Sequence, residues 1–182
     1  MRANCCSVKS LRIYAIPFTG LKLGKHQFEF DVTDSFFDEF DYSIVKKANL
    51  KCAVELEKQE TLIILNFHIT GHIDLTCDRC LAPYPQPLDI SEQQIARFSE
   101  EEIDEDDEII TLGKSDHEID LAPLIYEYIN VAVPFVASCG NEGNTEYCDK
   151  EMLDSLNKLA VKNNEQEDEI VDPRWEALKK IK

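Results

Sequence analysis

The sequence predicts an α+β domain: an antiparallel β-sheet, barrel-like if its edges meet, with a few packed helices. Two observations carry this. Between residues 49 and 76 apolar and polar residues alternate along two runs joined by the polar turn Lys58-Gln59-Glu60, the pattern of a half-buried hairpin. Further on, Leu121, Leu124, Ile125, Tyr128 and Ile129 recur at helical spacing behind Asp120, a residue suited to cap a helix. At 182 residues and 43% apolar content the chain can bury one core without covalent staples. The predicted organisation is a disordered lead-in over 1–10, an α+β domain over 11–162 with an acidic loop at 99–108, and an acidic linker with a terminal helix over 163–182.

Taken in order, Leu11 to Phe18 reads as a short strand, and Pro17 suggests an edge position or a strand end because proline cannot donate to a ladder. Gly20 and Gly24 punctuate a turn. Gln27 to Val32 then alternates, with Phe28, Phe30 and Val32 on one face. Asp34 or Ser35 can cap a helix through Tyr42, its apolar stripe made by Phe36, Phe37 and Phe40. Those rings could stack on bases, but Asp34, Asp38, Glu39 and Asp41 surround them, so a core-facing helix is the better reading.

In the hairpin, Leu50, Cys52, Val54 and Leu56 share one face with Ile63, Leu65, Phe67 and Ile69, and Gly71 suggests a bulge before Ile73 and Leu75 resume the pattern. Cys52 falls in this set as a small core hydrophobe. His68 and His72 read as surface or cross-strand residues. The hairpin delivers the chain to Cys77-Asp78-Arg79-Cys80-Leu81-Ala82, after which Pro83, Pro85 and Pro87 force an extended return into a strand over Leu88–Phe98. Glu100–Glu108 holds eight acids in nine residues and cannot bury itself. Ile109–Leu112 is a short strand. Pro123 is tolerable in the first turn of the later helix, and Pro134 ends it. A Gly/Asn-rich loop lies between Cys139 and Cys148, a helix runs from Asp149 to about Leu159, and Asp172-Pro173 opens a terminal helix bearing the single tryptophan, Trp175.

Charge narrows the choice of partner. The formal net charge is −17, and residues 91–182 carry 24 acids against 9 bases, while residues 1–90 carry 12 against 10. Such a surface repels phosphate backbones and anionic membranes, so nucleic acid would have to meet the near-neutral first half. An acidic half suits a basic protein. No apolar run approaches the roughly 20 residues a bilayer span needs, and the first residues show no signal-peptide hydrophobic region. A cytoplasmic location is the expectation, in which seven cysteines are free or metal-bound.

Cysteine spacing offers the one chemically pointed motif. Cys77 and Cys80 place two thiols on one bend, and Cys139 and Cys148 can supply a second pair, which makes zinc the candidate cofactor. The eight-residue gap between Cys139 and Cys148 is wider than the usual second knuckle, and a plain turn with two small residues is the competing reading. A redox pair would sit at a helix N-terminus, and the prolines after this bend leave no helix there. There is no Gly-x-Ser-x-Gly, no phosphate-cradling glycine loop and no His-Glu-x-x-His, so the chain is read as no enzyme. Arg79 and Leu81, on the rim of such a knuckle, are the candidate partner contacts.

Four features resemble the YceD family of large-ribosomal-RNA accumulation proteins. They are the strand into Cys77-Asp78-Arg79-Cys80-Leu81-Ala82-Pro83, the acids of 100–108, the helix from Asp120-Leu121 to Pro134, and the ending Asp172-Pro173-Arg174-Trp175-Glu176-Ala177-Leu178. The resemblance implies a non-catalytic cytoplasmic factor supporting 23S ribosomal RNA accumulation or large-subunit assembly. Its partners would be large-subunit components, a basic ribosomal protein or 23S ribosomal RNA, with no membrane and no small-molecule substrate. The alternatives are a zinc-knuckle RNA-binding protein using Arg79, Lys46, Lys47 and Lys51 of the first half, and a Cys-x-x-Cys redox protein.

Overall fold

Alternation explains the frame. In the computed structural model, which describes residues 11–98, 109–113, 115–140 and 145–159, the long alternating runs are the long strands. The lead-in (1–10), the acidic loop (99–108) and the linker with its terminal helix (163–182) lie outside the described residues. The chain divides into two compact units, residues 1–148 and 149–182.

The first unit is built on β2 (Gly24–Thr33), β3 (Ala48–Lys58), β4 (Leu62–Thr76), β5 (Pro83–Phe98) and β6 (Ile109–Leu112), hydrogen-bonded in that order as one five-stranded sheet. Neighbours from β2 to β5 are antiparallel, while β6 runs parallel to the end of β5, pairing Ile95–Phe98 with Ile109–Leu112. A small second sheet pairs β1 (Ala15–Pro17) with β7 (Glu118–Asp120). Helix α1 (Asp34–Phe37) leaves β2, and α2 (Ala122–Ala132) follows β7.

Burial follows the period of two. Leu50, Cys52, Val54 and Leu56 of β3 face the core with Ile63, Leu65, Phe67, Ile69, Ile73 and Leu75 of β4. Each such aliphatic side chain, fully removed from water, contributes about 1.5–3 kcal/mol. Ala122, Ile125 and Ile129 of α2 are buried too, and Tyr128 sets its ring edge-on to Phe67 at 5.2 Å and donates its hydroxyl to Gln94 Oε1 at 3.1 Å. Asp120 accepts the Ala122 N–H through Oδ1 at 3.0 Å, but from the end of β7: the cap position predicted for it is held by Leu121, which makes no side-chain cap bond, and Pro123 lies in the first turn. His68 faces outward, with Nε2 3.0 Å from Asp89 Oδ1 on the neighbouring strand.

Several expectations need correction. The sheet is open, not barrel-like: β2 and β6 are its edges, and four-residue β6 closes against the end of β5 instead of reaching β2. The predicted helix to Tyr42 stops at Phe37, because Phe40 N–H turns back to the Phe37 carbonyl three residues earlier and the chain leaves in tight turns. Phe36, Phe37 and Phe40 still form one aromatic cluster, with Phe40 stacked on Tyr126 at 4.0 Å. The strand expected over 11–18 opens with a 3₁₀ turn at Arg12–Tyr14. Gly71 marks no bulge, since the β3–β4 register is unbroken with Leu50 opposite Gly71. Glycine is needed there for a different reason. Its φ is +140°, and a Cβ would run into the Asn49 carbonyl oxygen of β3.

Prolines fit the sheet by phase. Pro83, Pro85 and Pro87 are two residues apart, so they share one side of β5, and β6 covers only 95–98 of the strand's far edge. Their missing N–H groups therefore cost no ladder bond. In the second unit, α3 (Lys150–Leu159) is the described element, and Asp149 Oδ1 accepts the Met152 N–H at 3.1 Å at its start.

Candidate metal centre

The centre begins with the connection between β4 and β5. Thr76 pairs with Pro83, so residues 77–82 must reverse the chain while the sheet ladder continues behind them. Cys77 N–H donates to the Ala82 carbonyl and Leu81 N–H to the Cys77 carbonyl, each at 2.9 Å. The bend turns through Leu81 at φ +60°, a left-handed conformation that costs a non-glycine residue about 1 kcal/mol. Arg79 N–H points at Cys77 Sγ from 3.4 Å. Both sulfurs of the pair are buried.

A second segment docks on this bend after α2 ends. Asp78 N–H donates to the Ala137 carbonyl at 2.8 Å, and Ala137 N–H returns a bond to Asp78 Oδ2 at 2.7 Å. That reciprocal clasp carries Cys139 to the knuckle. Cys139 Sγ lies 3.5 Å from Cys80 Sγ, and the sulfurs of Cys77, Cys80 and Cys139 all lie within 4.8 Å of one another. Cys148, partly open to solvent, touches Cys139 Sγ at 2.9 Å. All four predicted cysteines thus converge, three as a compact buried set and the fourth through Cys139.

The donor set suits a soft, tetrahedral cation. Four thiolates around zinc at about 2.3 Å stand about 3.8 Å apart, and among the three buried sulfurs Cys80 and Cys139 are 3.5 Å apart with no pair beyond 4.8 Å. Electrostatics favours one anionic corner. Burial pushes the Cys77 thiol up, but N–H groups of Cys139, Cys80 and Arg79 and the Cys139 thiol donate to its sulfur and hold it at about 6. Cys139, donating to its neighbours and buried, is pushed well above its ordinary value, with Cys148 the largest cause. Protons thus sit unevenly over a set that a cation would fully deprotonate. No helix begins at the bend, so the pair lacks the dipole a redox couple uses.

Cys52 stands apart, buried in β3, its thiol pushed up by burial to about 12. Cys5 and Cys6 lie outside the described residues. Arg79 and Leu81 are both exposed on the knuckle. Sequence reasoning missed Asp78, whose carboxylate clasps the second segment. It also missed Ile44 and Phe135, large apolar side chains left in water nearby. A lone aromatic just after the helix-ending Pro134 was the available signal for Phe135.

Fold and site define a class: an α+β sheet domain whose loop thiols gather into a buried cluster that could hold a metal ion. The chain belongs to the YceD family, since the family model described as "Large ribosomal RNA subunit accumulation protein YceD" matches residues 65–182, well over half its length. The matched segment starts within β4, ahead of the knuckle, and includes all four clustered cysteines. The chain is also similar to "Uncharacterized protein YlbN" of Bacillus subtilis (strain 168), with 26% identity over 164 residues, covering 88% of this chain and 91% of that protein. No solved structure matches the chain.

Proposed function

We propose that this protein is a non-catalytic, cytoplasmic accessory factor of ribosome biogenesis, supporting large-subunit RNA accumulation by holding a basic ribosomal protein. Membership of a family named for large ribosomal RNA subunit accumulation is the observation that carries the ribosomal part. The charge carries the rest. A chain of net charge −17 attracts a basic protein at long range and repels ribosomal RNA. Direct RNA binding by the first half is less favoured because its cations sit among acids. Lys51 is paired across the ladder with Asp31, Lys25 holds Glu55 at 2.8 Å, and Asp74 lines one groove with Lys46 and another with Lys47.

Cys77, Cys80, Cys139 and Cys148 would hold zinc as a cross-link between the knuckle and the segment after α2. Bound there, the ion supplies rigidity, with no open position for a reaction. Arg79 and Leu81 then stand at fixed places on the rim for a partner.

Sucrose-gradient sedimentation of extracts from cells with and without the protein tests the role. Large subunits and 23S ribosomal RNA should fall in its absence, and unchanged levels would overturn the reading. Elemental analysis of purified protein tests the cofactor: stoichiometric zinc in wild type, lost in Cys80→Ser.

A further inference from the structure

An exposed apolar groove lies beside the knuckle. Its walls are Ile44 from the loop before β3, Leu75 at the end of β4, and Val133, Pro134 and Phe135 after α2. Phe135 is fully exposed and Ile44 is 73% exposed. Two large apolar side chains lining one groove, in water, are an unfavourable use of surface unless something covers them. Val136 and Leu81, 58% and 63% exposed, extend the apolar character onto the adjoining segment and the knuckle.

Charge selects the occupant. The groove's charged lining is Asp74, Asp78 and Lys46, two carboxylates against one ammonium. The whole chain at −17 repels a second copy of itself, a nucleic acid and an anionic membrane alike. What remains attractive is a cationic polypeptide. An apolar side chain from it would fill the space between Ile44 and Phe135 while its lysines or arginines meet Asp74 and Asp78 at the rim.

We propose that this groove is the docking site for a lysine- or arginine-rich protein segment that carries an apolar anchor residue. The proposal rests on the reading that the chain holds a basic protein, and it gives that contact a place. It also joins the groove to the thiol cluster. Val133–Phe135 are carried by the same segment that the Asp78–Ala137 clasp and Cys139 tie to the knuckle. Loosening the cluster therefore loosens one wall of the groove, so metal and peptide affinities are linked, each raising the other by the same factor.

The test is fluorescence anisotropy at low salt with two labelled synthetic peptides, one alternating leucine with lysine and one alternating leucine with glutamate. The full-length protein should bind the lysine peptide and not the glutamate peptide, and chelation should weaken binding. The Phe135→Ala/Ile44→Ser double variant, whose changed side chains are already exposed and should leave folding intact, should lose affinity about tenfold or more, or 1.4 kcal/mol and upward. Equal affinity in the double variant, or equal affinity for both peptides, overturns the proposal. So does a wild-type dimer in analytical ultracentrifugation that Phe135→Ala dissociates, because the face would then belong to a second copy. Gradient sedimentation separates this from the ribosomal reading. A double variant that restores large subunits fully in cells lacking the protein sinks the groove alone, while unchanged subunits in those cells sink the ribosomal role and leave peptide binding to decide the groove.

Discussion

Gly71→Ala isolates the feature that lets β4 run past β3 without a bulge. Two costs add. At φ +140° an alanine sits in a region that L-residues avoid, which costs about 1–3 kcal/mol. Its Cβ would also overlap the Asn49 carbonyl oxygen and lie 3.0 Å from Leu50 Cα, and both neighbours are backbone atoms that cannot rotate aside. The strands must part locally, weakening one ladder bond for a further ~1 kcal/mol. The sum is about 2–4 kcal/mol. For a urea slope of about 2 kcal/mol/M this moves the unfolding midpoint down by about 1–2 M. Gly20→Ala is the matched control, since a Cβ there meets nothing within 4 Å, and it should stay within about 0.5 kcal/mol of wild type. A Gly71→Ala midpoint indistinguishable from that of Gly20→Ala would refute the close-approach argument.

Further outcomes are expected. Phe67→Ala, which empties a buried site against the Tyr128 ring, should cost about 3–5 kcal/mol in the same urea assay. Asp78→Ala should cost about 1.5–3 kcal/mol by stranding the Ala137 N–H, and it should speed zinc release to a chromogenic chelator more than Asp89→Ala does. Stability should fall at alkaline pH through Cys52. Its thiol ionises near 9 when unfolded and near 12 when folded, so the unfolded chain loses its proton first. The contribution is complete below pH 9 and is lost as pH rises through about 12. It is of order 4 kcal/mol at about 1.4 kcal/mol for each tenfold change in proton affinity. Urea midpoints across that range should flatten in Cys52→Ala, and an unchanged slope would count against burial as the cause.

Residue order is enough to assign the faces of the strands. A period of two assigns Leu50 to Leu56 and Ile63 to Leu75 to a core side regardless of what covers them, because successive strand residues point opposite ways. The helix behind Asp120 and the four cysteines were legible for a similar reason: local spacing is a local constraint. Tertiary structure alone decided how distant parts meet. Whether the sheet closes depends on which strand β6 finds, and it pairs parallel to β5, a choice no window of sequence contains. Gly71 shows a glycine whose purpose depends on an oxygen of the neighbouring strand, invisible from its own flanks. The cluster likewise depends on a carboxylate, Asp78, catching an N–H fifty-nine residues away. Sequence could name the candidate thiols of a knuckle, but the fold had to bring Cys139 to Cys80, and in doing so it left Phe135 standing in water beside them.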